Sequence, residues 1–340
     1  MKTRLMNPAL WAVGLAVVTF AGPTAGDEIN VYSYRQPPLV EPLFARFTED
    51  TGIDVNVTFL NKGMIERLQA EGDRSPADLI LTVDISRLNG IVEAGVTQAV
   101  ESAVLNESIP SEFRDPDNHW FGLTARARIV YASKDRVADG EVTTYEDLAS
   151  DNWKGRICIR TGTHPYNLAL TSALIAHDGE DAARAWLEGI KSNLARKPQG
   201  NDRAQVKAIH AGECDISIGN TYYMGLMLKN EEQVAWANSV RIVFPTFESG
   251  GTHVNLSGMA MTAAAPNREN AVKLMEFLAS DEGQGIYAET NHEYPLSPGI
   301  PLSQLVESWG SFEADSLDLI DVAKLRPMAL RLVEEVDFDG

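Results

Sequence analysis

Hydrophobic and polar residues alternate in the segment that begins at residue 28, and this alternation predicts a β-strand. Further along, segments with helical spacing of apolar residues take turns with short apolar runs. Strands are predicted at 28–34, 53–60 and 77–83, and helices at 39–51, 64–71 and 85–93. This order of elements is typical of an α/β fold with a mainly parallel sheet, in which ligands bind beyond the carboxyl ends of the strands.

A second set of the same kind follows residue 121. Strands are predicted at 123–131, 156–160, 215–220 and 240–245, and helices at 169–177, 179–192, 222–230 and 267–279. No linker rich in Pro, Gly and Ser separates the two sets. We therefore predict two lobes between which the chain crosses more than once, near 124–131 and 245–258.

Residues 1–26 have the composition of a secretory signal peptide. Lys2 and Arg4 precede a short apolar stretch at 9–21, and small residues follow it. The stretch is short for a transmembrane span, and an uncleaved membrane anchor is the alternative interpretation.

Export changes the interpretation of the two cysteines, Cys158 and Cys214. An oxidising compartment favours a disulfide between them. Two separate buried thiols are the alternative.

Charge and motifs exclude several classes of function. The formal net charge is -19, which argues against a nucleic acid or an anionic membrane surface as partner. The sequence contains no G-x-S-x-G, P-loop, H-E-x-x-H or G-x-G-x-x-G motif, and this argues against an enzyme.

Three tyrosines follow predicted strands and are candidate metal ligands. Tyr222 and Tyr223 stand between a strand and a helix, and Tyr166 lies in a predicted loop at 161–167 that also contains His164. Phenolate oxygen is a hard anionic donor suited to a trivalent cation, and its binding releases protons. A tyrosine pair alone is more often part of a packed core, and His164 alone is more often a solvated residue than a ligand.

Arginines at strand ends are candidate anion ligands. Arg35, Arg126 and Arg128 stand out in an acidic chain, and the planar guanidinium suits a small oxyanion. Local salt bridges are the alternative for each.

Six motifs in order resemble the periplasmic ferric-ion-binding proteins, the bacterial analogues of a transferrin lobe. The resemblance extends over residues 28–294. The motifs are YSYRQP (32–37), LTVDISR (81–87), WFGLTARAR (120–128), RKPQGND (196–202), GNTYYM (219–224) and GTHVNLSG (251–258).

The resemblance implies a two-lobed type II periplasmic-binding-protein fold of the α/β class, with mainly parallel sheets flanked by helices and a ligand cleft between the lobes. Combined with the predicted crossings, it divides the chain. Residues 27–124 with 250–300 form the N-lobe, 125–249 the C-lobe, and 301–340 a helical segment packed on both.

The resemblance also implies a ligand set. Tyr166, Tyr222 and Tyr223 match the family's iron ligands. Some subgroups add a His or Glu from the N-lobe, where this chain has Gln36 and Val83, so it is most similar to the subgroup with three tyrosines and carbonate.

The implied anion site consists of four residues, Arg35, Gln36, Arg126 and Arg128. Carbonate or bicarbonate is the expected synergistic anion, and phosphate and citrate are alternatives. Tyr34 is a candidate fourth oxygen for the iron.

The implied function is that of a periplasmic monomer that captures Fe(III) and delivers it to the inner-membrane permease of an ABC transporter. It would contact neither nucleic acid nor the membrane interior. Three alternatives remain open: the same fold with another cargo such as thiamine, spermidine or an oxyanion, a secreted enzyme, and an iron-regulated sensor or adhesion domain.

Overall fold

A mixed β-sheet runs through the computed structural model, which describes residues 28–340. The predicted signal peptide at 1–26 lies outside the described residues. The strands are β1 (Glu28–Ser33), β2 (Asp54–Phe59), β3 (Leu79–Thr82), β4 (Thr97–Gln98), β5 (Phe121–Ser133), β6 (Ile157–Cys158), β7 (Ile216–Asn220), β8 (Val240–Val243), β9 (Val254–Thr262) and β10 (Tyr294–Pro295).

The order along the sheet is β2-β1-β3-β9-β5-β7-β6. Strand β1 pairs in parallel with β2 and β3, and β6 pairs in parallel with β7. The pairs of β9 with β3, β4 and β5 are antiparallel, as are the pairs of β5 with β7, β8 and β10. The pairing is therefore mixed where the sequence analysis expected it to be mainly parallel. The difference arises from β5 and β9, because every antiparallel pair among the described strands includes one of them. Strand β9 is buried and was not predicted from the sequence, and its first residues were expected in a crossing segment.

Strand β5 belongs to two parts of the sheet. Residues 121–127 pair with β9, and residues 128–133 pair with β7 and β8. We call the part with β1–β4, β9 and β10 the first half and the part with β6–β8 the second half. Arg126 and Arg128 flank the point where the strand passes from one half to the other.

Helices cover both halves of the sheet. The α-helices are α1 (Glu41–Thr51), α2 (Met64–Glu71), α3 (Ile85–Glu93), α4 (Ala103–Ser108), α5 (Pro165–Asp178), α6 (Glu180–Ser192), α7 (Asp202–His210), α8 (Tyr222–Leu228), α9 (Val234–Asn238), α10 (Arg268–Ala279), α11 (Asp281–Ile286), α12 (Gln304–Glu307), α13 (Leu319–Lys324) and α14 (Arg326–Glu335). A π-helix, Tyr287–Asn291, continues α11. Within residues 28–340, no helix has the length and apolar character needed to cross a membrane.

Local sequence explains where several helices begin and end. Gly52 ends α1 in the left-handed conformation, at φ 71°, which glycine adopts without a steric penalty. Asp84 begins α3 by accepting a hydrogen bond from the backbone N–H of Arg87. Helix α3 thus starts directly after β3, at the carboxyl end of a buried strand.

Each half has its own apolar core. In the first half, α1 and α10 pack on the sheet through residues such as Phe47 and Leu274. In the second half, α5, α6 and α14 bury residues such as Trp153 and Leu332. Helix α13 packs against both α3 and α5, so the C-terminal segment contacts both halves.

A disulfide joins Cys158 in β6 to Cys214, which precedes β7, and their Cα atoms are 5.8 Å apart. It cross-links neighbouring strands of the second half.

Candidate metal site

Three tyrosine side chains form a buried cluster at the end of the second half of the sheet. Tyr166 stands in the first turn of α5, and Tyr222 and Tyr223 begin α8. The hydroxyl oxygens of Tyr166 and Tyr222 are 3.2 Å apart, and the ring centroids of Tyr222 and Tyr223 are 4.2 Å apart. The exposed fractions are 9%, 6% and 7% in chain order. The structure thus brings the three predicted ligands together.

Both helix starts lie beyond the carboxyl ends of neighbouring parallel strands, β6 and β7. This topology explains why residues far apart in the chain meet at one edge of the sheet. Tyr166 was predicted in a loop, but it belongs to a helix because Pro165 occupies its first position and favours helical geometry. The ring Nδ1 of His164 accepts the backbone N–H of Tyr166 at 3.2 Å and so acts as the N-cap.

A cavity of about 220 Å³ adjoins the cluster, and both halves of the sheet contribute to its lining. Gln36 is exposed at this cavity. Tyr34 also lines it, but its hydroxyl oxygen accepts the backbone N–H of Met64 at 3.0 Å. Its oxygen is therefore held at the start of α2 rather than in the tyrosine cluster. The lining consists of Tyr34, Gln36, Leu39, Leu60, Asn61, Val83, Arg87, Arg160, His164, Pro165, Tyr166, Asn201, Arg203, Tyr222 and Tyr223.

Burial controls the protonation of these groups. It raises the pKa of Tyr222 and of Tyr223 well above the usual value, and the neighbouring tyrosines raise it further. Burial, with Arg160 nearby, lowers the pKa of His164 to about 3. The two phenols and the imidazole are therefore neutral at neutral pH, and a metal ion bound by Tyr222 and Tyr223 must displace their protons.

Arg35 is buried and engaged within the protein. It forms a salt bridge of 2.6 Å with Glu293 and also donates to the hydroxyl of Ser257. Thr124 donates a further hydrogen bond of 3.0 Å to the same carboxylate. The charge of Arg35 is thus matched by an internal partner.

Arg128 is engaged in the same way on the other side of the crossing. It donates to Asp202 at 2.9 Å, to Asn220 at 3.0 Å and to the Asn167 side chain at 2.5 Å. Arg160 pairs with the second oxygen of Asp202. This network holds three points in a fixed relative position: the start of α5, the start of α7 and the end of β7.

Arg126 is different. It is 2% exposed, and the only hydrogen bond of its side chain to the described residues is a donation of 2.8 Å to Ser257. Its Nε and Nη2 have no partner among residues 28–340. Its guanidinium carbon is 5.8 Å from the centroid of the Tyr166 ring. Arg126 is thus a buried cation with two donor nitrogens that no described residue satisfies, and it lies beside the ring of Tyr166.

Sequence reasoning missed the internal partners of these arginines. Ser257 lies in the GTHVNLSG motif and Asp202 ends the RKPQGND motif, so both were visible as parts of the resemblance. Glu293 gave no sequence signal, because its role depends on the strand pairing that brings β10 beside β5. Within the described part of the chain, no group of three or more His, Cys, Asp and Glu side chains is placed to hold a metal ion.

The fold and site define a binding protein whose two halves share a ligand cavity. Residues 74–308 match the profile of the bacterial extracellular solute-binding proteins. The chain belongs to the ferric-ion-binding branch of that family, as three comparisons show.

The first is a curated relative, iron uptake protein A1 of Synechocystis, which is 43% identical over 316 residues, 92% of this chain and 88% of that protein. The crystal structure of apo ferric ion-binding protein A from Pasteurella haemolytica is 51% identical, with a TM-score of 0.90 over 92% of this chain and 99% of that one. Trichodesmium IdiA (FutA), solved in complex with iron and citrate ligands, is 41% identical, with a TM-score of 0.85 over the same shares.

These similarities confirm the predicted family and the two-lobed type II periplasmic-binding-protein fold. The relatives are named for binding and uptake, which supports the prediction that the chain is not an enzyme.

Proposed function

We propose that this chain captures ferric iron in the periplasm with Tyr166, Tyr222 and Tyr223, and delivers it to the inner-membrane permease of an ABC transporter. The observation that carries the proposal is the convergence of three buried phenols from two helix starts, with 3.2 Å between the Tyr166 and Tyr222 oxygens. Hard anionic oxygens suit a hard trivalent ion. The names of the relatives support the same cargo.

The proposal includes a synergistic anion, carbonate or bicarbonate, held by Arg126. Three phenolates neutralise Fe³⁺, and a dianion added to them needs a nearby cation. Arg126 offers two buried donor nitrogens for it. In this arrangement Arg35 and Arg128 do not bind the anion, because Glu293 and Asp202 match their charges. Their ion pairs instead hold the surrounding elements in position.

The capture step is a closure of two halves around the ion. Iron binds first to the tyrosines of the second half, which release their protons, and the anion then occupies the remaining positions. Strand β5 and the segment 244–253 connect the halves, and we place the hinge there. Cleavage of a signal peptide at 1–26 and a monomeric state complete the proposal.

The test is an absorption spectrum of the protein in bicarbonate buffer, where ferrous iron is oxidised in air in the presence of the apo protein. A visible tyrosinate-to-iron charge-transfer band is expected. It should disappear in the double variant Tyr222→Phe/Tyr223→Phe, which keeps the rings and removes the oxygens.

Tyr294→Phe is the matched control, because the Tyr294 hydroxyl is buried without a partner among the described residues and lies outside the cavity lining. A band that survives in the double variant would show that the assignment of these ligands is wrong. If the wild-type protein gives no band, the cargo is not iron, and organic cations and oxyanions become the candidates.

A further inference from the structure

The first half of the sheet ends in an open edge at β2. Among the described strands, β2 pairs only with β1, in a register that is unbroken over its six residues. The opposite edge of the sheet is covered, because the backbone of Ile157 in β6 accepts from Ala195 at 2.8 Å and donates to Asn193 at 3.2 Å. Strand β2 therefore leaves a row of backbone groups without such a cover.

The pairing with β1 identifies these open groups. The backbone N–H of Leu60 donates to the carbonyl oxygen of Ser33 at 2.9 Å, so Leu60 directs its N–H toward β1. The N–H and C=O of successive strand residues point to alternate sides. Val55, Val57 and Phe59 therefore direct theirs away from β1, and none of these groups has a backbone partner among residues 28–340.

The edge lacks the features that usually block the addition of a strand. Natural edge strands are protected by lysine, proline, a bulge or very short length. Strand β2 has the sequence DVNVTF, contains neither lysine nor proline, and pairs with β1 without a bulge. Its one charged residue is Asp54, at its first position. Such an edge is open to a further strand.

A groove of about 750 Å³ lies beside this edge, between α1 and β2. Phe44 of α1 and Val55 and Val57 of β2 line it with apolar side chains, and Phe59, which is 38% exposed, lies at the end of the strand. A strand added to β2 places every second side chain on the face of the sheet that these residues occupy. The groove therefore fits an extended segment with apolar residues at alternate positions.

The charge of the groove selects the ends of such a segment. Glu49 and Asp54 line it where α1 passes into β2, Glu41 lines it at the start of α1, and none of the described lining residues is Lys, Arg or His. Arg46 matches Glu49 at 2.9 Å, whereas Glu41 and Asp54 form no ion pair with residues 28–340. Basic residues at both ends of the segment complement these acids.

A second copy of this chain does not have that chemistry. Its own β2 edge carries the same acids, and the net charge of -19 opposes association of two copies. The groove also shares no lining residue with the cavity beside the tyrosines, so the two sites are separate.

We propose that α1 and β2 form a docking site for an extended segment of another protein, which adds to the sheet as a strand beside β2. The outward backbone groups of Val55, Val57 and Phe59 pair with the segment, its alternate apolar side chains fill the groove, and its basic ends contact Glu41 and Asp54. This interaction does not depend on which cargo the tyrosines bind.

The test measures binding of the fluorescein-labelled peptide Arg-Thr-Val-Thr-Val-Thr-Arg to the protein by fluorescence anisotropy at low salt. Its arginines and valines share one face when the peptide is extended. A peptide with Glu in place of Arg reverses the charge. Two further peptides carry backbone N-methyl groups, either on both valines or on two threonines, and so lose the N–H groups of one side only.

Variants of the protein test the edge and the acids separately. Val57→Pro removes an outward N–H and leaves the ladder with β1 intact, because an edge strand tolerates proline where the nitrogen faces outward. Glu41→Gln/Asp54→Asn removes the two unmatched acids. The matched control is Glu107→Gln/Asp117→Asn, which removes the same charge from exposed positions outside the groove lining. Thermal unfolding checks that each variant is folded.

We expect one N-methylated peptide to bind at least about tenfold more weakly than the other, since only one side of the peptide pairs with β2. Loss with methylated valines indicates an antiparallel added strand, and loss with methylated threonines a parallel one. Val57→Pro should weaken binding of the unmethylated arginine peptide by a similar factor. The acid variant should weaken it about threefold to tenfold, while the control variant binds as the wild type does.

Equal affinities for the two N-methylated peptides would overturn strand addition, even if Val57→Pro does not fold. An arginine peptide that binds no more tightly than the glutamate peptide would overturn the assignment of a basic partner. A wild-type protein that sediments as a dimer, with Val57→Pro as a monomer, would assign the edge to a second copy and refute the proposal.

Discussion

The hydroxyl oxygens of Tyr166 and Tyr222 lie 3.2 Å apart, although 56 residues separate the two tyrosines in the chain. Each residue starts a helix at the end of a strand, and the strands are parallel neighbours. Hydroxyl groups at this distance share a hydrogen bond while both are protonated, and they are close enough to bind one metal ion after the protons leave. The fold thus holds the candidate ligand oxygens close together through contacts of the protein alone.

Replacement of Tyr166 by Phe should weaken iron binding while leaving the stability of the apo protein nearly unchanged. The variant loses one oxygen and one hydrogen bond but keeps the ring, so the free energy of unfolding of the apo protein should change by no more than about 1 kcal/mol. Iron affinity should fall at least about a hundredfold, because loss of a direct ligand costs more than loss of a residue that only hydrogen-bonds a ligand. Competition titration against a chelator and thermal unfolding measure the two quantities. An unchanged iron affinity would remove Tyr166 from the ligand set.

Acid should release the metal. Because burial raises the pKa of Tyr222 and Tyr223, both phenols are protonated in the apo protein at neutral pH, and each phenolate that binds iron gives up one proton. The logarithm of the iron affinity should rise by about one per pH unit for each phenolate, and by about two for this pair. Affinity measured at constant free iron between mildly acidic and mildly alkaline pH tests the slope. A slope near zero would contradict phenolate ligation.

The raised pKa values of Tyr222 and Tyr223 also predict that the apo protein loses stability in alkali, whereas the iron complex is weakened by acid. A tyrosine whose folded-state pKa is raised binds its proton more tightly when folded, so its contribution is present below about pH 10 and is lost as pH rises above that value. Denaturant unfolding of the apo protein across this range should show stability falling. The variant Tyr222→Phe/Tyr223→Phe should show a smaller fall, and an equal fall in both proteins would assign the effect to other groups.

Arg126 and Arg128 offer a matched pair of variants with different expected outcomes. Arg126→Gln removes a buried charge that has no carboxylate partner, so apo stability should hold or increase while iron binding in bicarbonate weakens about tenfold to a hundredfold. Arg128→Gln takes a partner from Asp202 and should destabilise the apo protein by about 3 kcal/mol. Thermal unfolding and iron titration of both variants separate the roles. A large loss of apo stability in Arg126→Gln would contradict the anion assignment.

Many of the helices and strands could be predicted from the sequence because their signals are local. Gly52, for example, marks the end of α1, and an apolar run marks the buried strand β3. Strand β9 was missed, because all of its residues are buried and the alternation of apolar and polar residues at 254–257 does not continue to its end. With β9 unrecognised, the antiparallel centre of the sheet could not be predicted either.

The candidate site also contains residues whose roles could be predicted from the sequence and residues whose roles could not. The tyrosines could be predicted from their position after apolar strands and from the resemblance. The distinction between Arg126 and its neighbours could not, because it depends on which carboxylate folds against which guanidinium. Glu293 reaches Arg35 across 258 residues of chain, and no local pattern encodes such a pairing.

Loss of the disulfide should weaken the second half without affecting the metal site. Cys158 and Cys214 close a loop with a sequence separation of 56 residues, for which chain entropy predicts a contribution of about 4 kcal/mol to the free energy of unfolding. The variant Cys158→Ser/Cys214→Ser should lose about 2 to 4 kcal/mol and keep the charge-transfer band. Denaturant unfolding with and without reductant checks this, since reductant should destabilise only the wild type. If reductant has no effect on the wild type, the cysteines are free thiols in solution.

A close contact behind the tyrosines should make one glycine sensitive to substitution. A Cβ atom on Gly225, in α8, would lie 2.1 Å from Cδ2 of His292, which follows the π-helix of the first half. Gly225→Ala should therefore push α8 away from that half, destabilise the protein by about 1 to 3 kcal/mol and weaken iron binding through the displaced Tyr222 and Tyr223.

Gly285→Ala is the matched control, because a Cβ there meets nothing within 4 Å and alanine favours a helix. Thermal unfolding and iron titration of the two variants test the contact. If both variants behave alike, α8 does not depend on His292 for its position, and the preorganisation of the tyrosines must come from the second half alone.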